Sequence, residues 1–243
     1  MSKKKDHHAP MVQLKATIPP LFVTALMVFS AGIAAAGNCG DDIGGQRVAC
    51  GCGDTVVSDT RLVKTDPVVT ERCARDGLTV RAVGEVESVT LDLAGLQLTG
   101  QGAGIGIRVV DGGSSGAILI GGKDGRPGQV AGFRVGISGR SSRGILAAEN
   151  LIVLGNETDG VQISGRGASL NGVVADDNGR SGVRAHGRDH ALDAVSAAGN
   201  GRFDLRVSGN GHFVGTDAET IEKGGARVTG SGNVVAPSTE AGR

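Results

Sequence analysis

Through its C-terminal half the chain is a series of short segments in which apolar and polar residues alternate, each bounded by glycine: "GVQI" from Gly160, "GVRA" from Gly182, "DLRV" from Asp204 and "ARV" from Ala226. Period-2 alternation over so few residues predicts half-buried strands, and the glycines exclude any sustained helix. The segments recur. At an offset of 22, "DGVQISGRGASLNGVVADDNGR" (159–180) falls on "SGVRAHGRDHALDAVSAAGNGR" (181–202), and the match runs on into "FDLRVSGN" and, at an offset of 21, into "GARVTGSGNVV". A period of this size means a solenoid. Short strands, tight turns and rungs of about 22 residues describe a parallel β-helix.

In such a coil, equivalent residues stack ~4.8 Å apart. Val161, Val183 and Leu205 are then expected to fill one inward row, and Ile163, Ala185 and Val207 the next. Asn156, Asn178 and Asn200 form an asparagine ladder at a corner. There asparagine tolerates the left-handed conformation, and its amide bonds the rungs above and below.

Upstream, "CGDTVVSDTRL", "DGLTV", "TLDLAGLQLTG", "GIGI" and "GFRVGI" continue the strand-and-glycine pattern with less regular rungs. With these segments and the "NxxxGV" rungs, the chain resembles the bacterial right-handed parallel β-helix repeat proteins of the pectin-lyase-like superfamily. The resemblance covers roughly Cys50 to Val235, about eight rungs. It implies a right-handed single-stranded parallel β-helix and leaves activity open, because that superfamily holds lyases, hydrolases, epimerases and proteins of unknown role.

Composition narrows the setting. Charge is balanced at 25 basic and 25 acidic residues, which gives no reason to expect nucleic acid. Residues 1–36 read as a signal peptide: Lys3, Lys4, Lys5 and Lys15, an apolar run from Leu21 to Ile33, and Ala34-x-Ala36 before Gly37. Translation could begin at Met1 or Met11. The apolar run is shorter than the ~20 residues of a membrane span, so no stable span is expected after cleavage. Removing four Lys and Asp6 leaves 21 basic and 24 acidic residues, with Phe133, Phe203 and Phe213 as the aromatics. The mature protein is expected to be secreted or periplasmic. Its four cysteines, Cys39, Cys50, Cys52 and Cys73, then read as two disulfides, since their gaps do not suit structural zinc. On the β-helix picture, Cys52 and Cys73 stand about one rung apart and within bridging reach. Cys39 and Cys50 then staple residues 37–80 as a lead-in over the first rungs of the coil, with the helix proper spanning 81–236. The polar tail, 237–243, looks too short to cover the far end.

Stacking sorts the candidate chemistry by column. A glycosidase of the polygalacturonase type needs stacked carboxylates, but Asp159 and the Asp176–Asp177 pair fall in different columns, and no Arg-x-Lys follows His186. Calcium-dependent elimination needs clustered acids, and Asp41–Asp42 and Asp176–Asp177 are isolated pairs. "TDPVV" at Asp66 lacks the histidine of an Asp-Pro-His epimerase site. No catalytic residue, metal site or cofactor is assigned. His190 and His212, 22 apart, could stack and share a transition metal with His186 nearby, though solvated turn residues fit better. One outward row stands out: Gln162, Arg184, Arg206 and Arg227. Adjacent guanidiniums in such a row repel by roughly 1 kcal/mol, which the fold does not require, although nearby acids and salt can neutralise it. Arginine forks suit carboxylates, so the row is a candidate contact for acidic polysaccharide or cell-envelope glycan. Three functions remain open: a non-catalytic glycan-binding β-helix, an enzyme on acidic polysaccharide with an unrecognised site in loops such as "VVDGGSS" and "GGKDGRPGQ", or a structural or adhesive module joined through its rung ends.

Overall fold

A computed structural model describes residues 36–81, 88–110, 116–141, 146–217 and 225–237. The leader assigned to residues 1–36, all but its last residue, lies outside them, as do most of the "VVDGGSS" loop and the tail beyond Pro237. The described chain is a parallel β-helix solenoid, with one sheet of nine strands and another of eleven.

The first sheet stacks β1 (Asn38–Cys39), β2 (Thr55–Val56), β5 (Leu78–Val80), β8 (Ile105–Val109), β11 (Val135–Ser141), β13 (Asp159–Arg166), β15 (Ser181–Arg188), β17 (Phe203–Asn210) and β19 (Ala226–Thr229). Its register gives the length of each rung. Thr55 pairs Thr79, Thr79 pairs Arg108, Ile107 pairs Ile137 and Ile137 pairs Val161, offsets of 24, 29, 30 and 24. From there the offsets settle to 22, 22 and 21. The expected inward rows are in place, with Val161, Val183, Leu205, Ile163, Ala185 and Val207 all at most 1% exposed. Burying such aliphatic side chains contributes about 1.5–3 kcal/mol each.

The extra residues of the early rungs are more than loop. The second sheet is built from β3 (Thr60–Arg61), β4 (Arg72–Cys73), β6 (Ser88–Asp92), β7 (Gln97–Gly100), β9 (Gly116–Ile120) and β10 (Gly128–Ala131), so each long coil carries two of its strands. These merge in β12 (Leu146–Leu154), whose first half pairs β9 and second half pairs β10. β14 (Ser169–Val174), β16 (Ala191–Val195), β18 (Phe213–Thr216) and β20 (Val234–Pro237) continue it with one strand per coil. At the change from wide to narrow coils sits Phe133, fully buried, in space left by Gly77, Gly100 and Gly106.

Four columns of positive-φ residues run along the narrow coils: Asn150, Gly172 and Ala194; Gly155, Asp177 and Gly199; Gly165, Gly187, Gly209 and Gly230; and Gly167, Asp189, Gly211 and Gly232. This corrects the sequence expectation for the asparagine ladder. The left-handed residue is the one before each asparagine, and that turn aims the amide along the helix axis. Asn156 Oδ1 accepts from Phe133 N at 3.0 Å, Asn178 Oδ1 from Asn156 N and Nδ2 at 3.1 and 2.9 Å, and Asn200 Oδ1 from Asn178 N and Nδ2 at 2.9 and 3.1 Å. Asp204 Oδ1 closes the ladder, accepting from Asn200 N and Nδ2 at 3.2 and 2.9 Å.

Both disulfides form as the coil requires, Cys39–Cys50 and Cys52–Cys73, with Cα separations of 5.1 and 5.4 Å. Cys52 precedes β2 and Cys73 lies in β4, so the second bridge ties one coil to itself. Its separation of 21 is shorter than the local rung offset of 24, so the two cysteines are not column partners. Beside the bridges, the turn Pro67–Thr70 (α1) starts at Asp66, which is 1% exposed. Both its oxygens accept from Arg47 Nη2, at 3.0 and 2.8 Å, and Oδ2 also accepts from Val63 N at 2.8 Å. This aspartate anchors the lead-in. At the far end Val234 and Val235 are 55% and 44% exposed.

Candidate functional site: the basic face of the first sheet

The register of the first sheet brings the predicted row together. Gln162 pairs Arg184, Arg184 pairs Arg206 and Arg206 pairs Arg227; the first three lie between two buried aliphatic positions, and Arg227, itself exposed, lies between the partly buried Ala226 and Val228, so the row is outward. The same row runs back through Ser138 to Arg108, a member that the sequence pattern missed because offsets of 24 and 30 replace 22 there. Two residues along, the next outward row reads Arg140, Ser164, His186 and Ser208, with His186 Nδ1 3.0 Å from Ser208 Oγ. At the corner that leads into the sheet, backbone bonds at 2.8–2.9 Å link Arg134, Thr158, Arg180 and Arg202 into a further column. The first sheet and its corner thus present two parallel arginine-rich rows, with no lysine among their described residues.

Acids enter this face sparingly. Asp159 has no exposure, and both its oxygens bind Arg180, Nε to Oδ1 at 2.8 Å and Nη2 to Oδ2. That fork raises the Arg180 pKa above the usual guanidinium value. Arg184 Nη1 lies 3.8 Å from the same carboxylate. Arg108 faces Asp76 at 3.5 Å and Arg166 faces Asp189 at 3.0 Å. Asp159, the first acid of the glycosidase pattern, is therefore a buried counter-ion. Its column partners are Ser181 and Phe203, whereas Asp177 belongs to the column of Gly155 and Gly199. Asp176 caps the next rung, its Oδ1 accepting from Ala198 N at 2.8 Å, and burial is the main cause that raises its pKa.

His190 and His212 are not the solvated turn residues that the sequence suggests, although His186 is exposed. His190 and His212 are each 1% exposed and stacked, ring centroids 5.0 Å apart and planes 9° apart. Their nitrogens are engaged along the axis. His190 Nδ1 accepts from Ala168 N at 3.1 Å and His212 Nδ1 from His190 N at 3.2 Å, while Asn233 Oδ1 accepts from His212 N at 2.9 Å. The Nε2 atoms face the carbonyls of His186 and Ser208 at 3.2 and 3.3 Å. This network needs the neutral Nε2–H tautomer, with Nδ1 as acceptor. The column is a second ladder, built like the asparagine one, with each member directly after a left-handed residue. No group of three or more His, Cys, Asp or Glu side chains able to hold a metal occurs among the described residues.

Burial lowers the His190 pKa, its neighbour His212 and, less, His186 adding to the effect, while the His186 carbonyl and Asp189 oppose it. Because the native state favours the neutral ring, the contribution is fully present above the ordinary histidine value of ~6.5 and is lost as pH falls below it. We expect the urea midpoint to drop between pH 7.5 and 5. His190→Asn keeps a side-chain acceptor, as Asn233 does in the same column, and should flatten that drop; an equal drop in the variant would assign the pH dependence to other groups.

Among the described residues no helix is long and apolar enough to cross a membrane. Two formed disulfides fit an oxidising compartment. In comparison with protein-family models, curated proteins and solved structures, the chain matches none.

Proposed function

We propose that this is an exported, non-catalytic β-helix that binds acidic glycan, polysaccharide or cell-envelope material, through the basic face of its first sheet. The observation that carries this reading is the row Gln162–Arg184–Arg206–Arg227, in register on one outward face and flanked by further arginines. Stacked guanidiniums repel one another, so the row is a cost to the fold that an anion laid along it offsets. Forked donors suit carboxylate and phosphate geometry better than point charges do. A grip on neutral sugars has little support, because the chain contains no Trp or Tyr. Asp159 is buried under Arg180 and is not poised as a general acid, which weighs against the hydrolase reading.

The test is co-sedimentation and column retention of the mature protein on polygalacturonate, alginate and neutral dextran, with and without calcium, while assaying for new reducing ends and unsaturated uronates. Binding without turnover is expected. Replacing Arg184, Arg206 and Arg227 together by Gln should weaken binding on the order of 100-fold, at roughly 1 kcal/mol per exposed ion pair. Turnover of any of these polymers would move the protein to the enzyme reading, and equal retention of the triple variant would retire the row.

A further inference from the structure

The arginines of the basic face differ in what holds them. Arg180 and Arg184 share the buried carboxylate of Asp159. Two rungs further along the same column stands Phe203 in place of that carboxylate. Three guanidiniums gather on its ring: Arg202, Arg206 and Arg227, with Cζ 5.2, 5.4 and 6.0 Å from the centroid. Arg202 belongs to the corner column, whereas Arg206 on β17 and Arg227 on β19 are neighbours in the outward row, so the fold brings two columns together at this ring. Among the described residues none of the three has a carboxylate within ion-pairing distance, in contrast to Arg180, Arg184, Arg108 and Arg166. The adjacent acid, Asp204, is engaged elsewhere, closing the asparagine ladder at Asn200.

The two anchors have opposite consequences. A carboxylate steadies an arginine by cancelling its charge, whereas an aromatic face steadies it and leaves the charge and the outer N–H groups free. Three such cations at one ring repel each other until an anion joins them. We infer that the Phe203 cluster, and not the row as a whole, is the anion-binding site of this face. It takes one oxyanion of a glycan chain, a carboxylate, sulfate or phosphate ester, between Arg202, Arg206 and Arg227. Arg180 and Arg184 are held by Asp159 and contribute little. This assignment rests on the glycan-binding reading of the face.

The deciding variant is Phe203→Leu, which keeps every charge and removes the ring. Affinity is measured at fixed salt for polygalacturonate, dextran sulfate, a phosphorylated dextran and a single-stranded oligonucleotide, with circular-dichroism melting of each variant. Phe203→Leu and Arg206→Gln should each weaken glycan binding about 5- to 10-fold, and Arg184→Gln less than 2-fold. Which of the three glycans binds best identifies the oxyanion. If Phe203→Leu melts early, Arg202→Gln with Arg206→Gln, both at the surface, replaces it and should weaken binding at least 10-fold. Equal losses from Arg184→Gln and Arg206→Gln, with Phe203→Leu neutral, would overturn the site while leaving the face a glycan binder. No binding of the wild type to any acidic glycan would overturn both. Tighter binding of the oligonucleotide than of every glycan would overturn the glycan class.

Discussion

Replacing Gly187 by Ala is expected to destabilise the protein by about 4 kcal/mol or to prevent folding, one of the largest effects of any single methyl group in this chain. Gly187 has φ +136°, and a Cβ there would lie 1.9 Å from the carbonyl oxygen of Gly165. That oxygen belongs to the column Ser141, Gly165, Gly187 and Gly209, where each backbone sits directly on the next. A flexible side chain could yield to a new methyl group, but a backbone carbonyl fixed at the rung spacing cannot move without opening the ladder. Gly155→Ala is the control. It also has a left-handed φ, +61°, but nothing lies within 4 Å of its Cβ, so only the conformational penalty of about 1–2 kcal/mol applies. Urea denaturation of both variants separates crowding from conformation, and equal losses would show that crowding plays no part.

Asn178→Ala should cost about 3 kcal/mol, against less than 0.5 for Asn171→Ala on an exposed position of β14. Asn178 is 1% exposed. Its Oδ1 receives the Asn156 backbone and side-chain amides, and its Nδ2 reaches the carbonyls of Asp176 and Val153 at 3.0 and 3.2 Å and Asn200 Oδ1 at 3.1 Å. Truncation therefore strands the Asn156 donors on the preceding rung and acceptors on that rung, its own and the next, at a buried corner. Asn178→Asp should be no better, since it keeps the acceptor but loses the donors. A loss below 1 kcal/mol for Asn178→Ala would mean that the ladder adorns the corner and does not hold it.

Gly187 and Asn178 also show how far the chain can be read without its structure. The offset of 22 placed Gly165 beside Gly187 and Asn156 beside Asn178 and Asn200, and the same offset put Arg184, Arg206 and Gln162 in one row. The recurring asparagines suggest a left-handed conformation for themselves, whereas Gly155, Asp177 and Gly199 before them carry it. The histidine ladder has a sequence signal of its own: Asp189-His190, Gly211-His212 and Gly232-Asn233 repeat the pattern of Gly155-Asn156, Asp177-Asn178 and Gly199-Asn200 at a second corner. An asparagine ending a histidine column points to acceptors aimed at backbone amides. In the early rungs the offsets of 30 and 24 concealed Arg108 from the row, and the irregular rungs concealed a second strand of the other sheet in each long coil.

The sequence by itself determined the 22-residue period of the narrow coils, and with it the aliphatic rows, the asparagine column, the outward row from Gln162 to Arg227, and the grouping of all four cysteines in the lead-in. These relations are repeats of one local conformation, so counting along the chain is enough to find them. The tertiary structure alone decided relations between columns. It set the burial of Asp159 beneath Arg180, the gathering of Arg202, Arg206 and Arg227 on Phe203, and the closing of the asparagine ladder by Asp204. Those depend on the angle at which each corner turns the chain, and that angle follows from the packing of the interior, which no single rung contains.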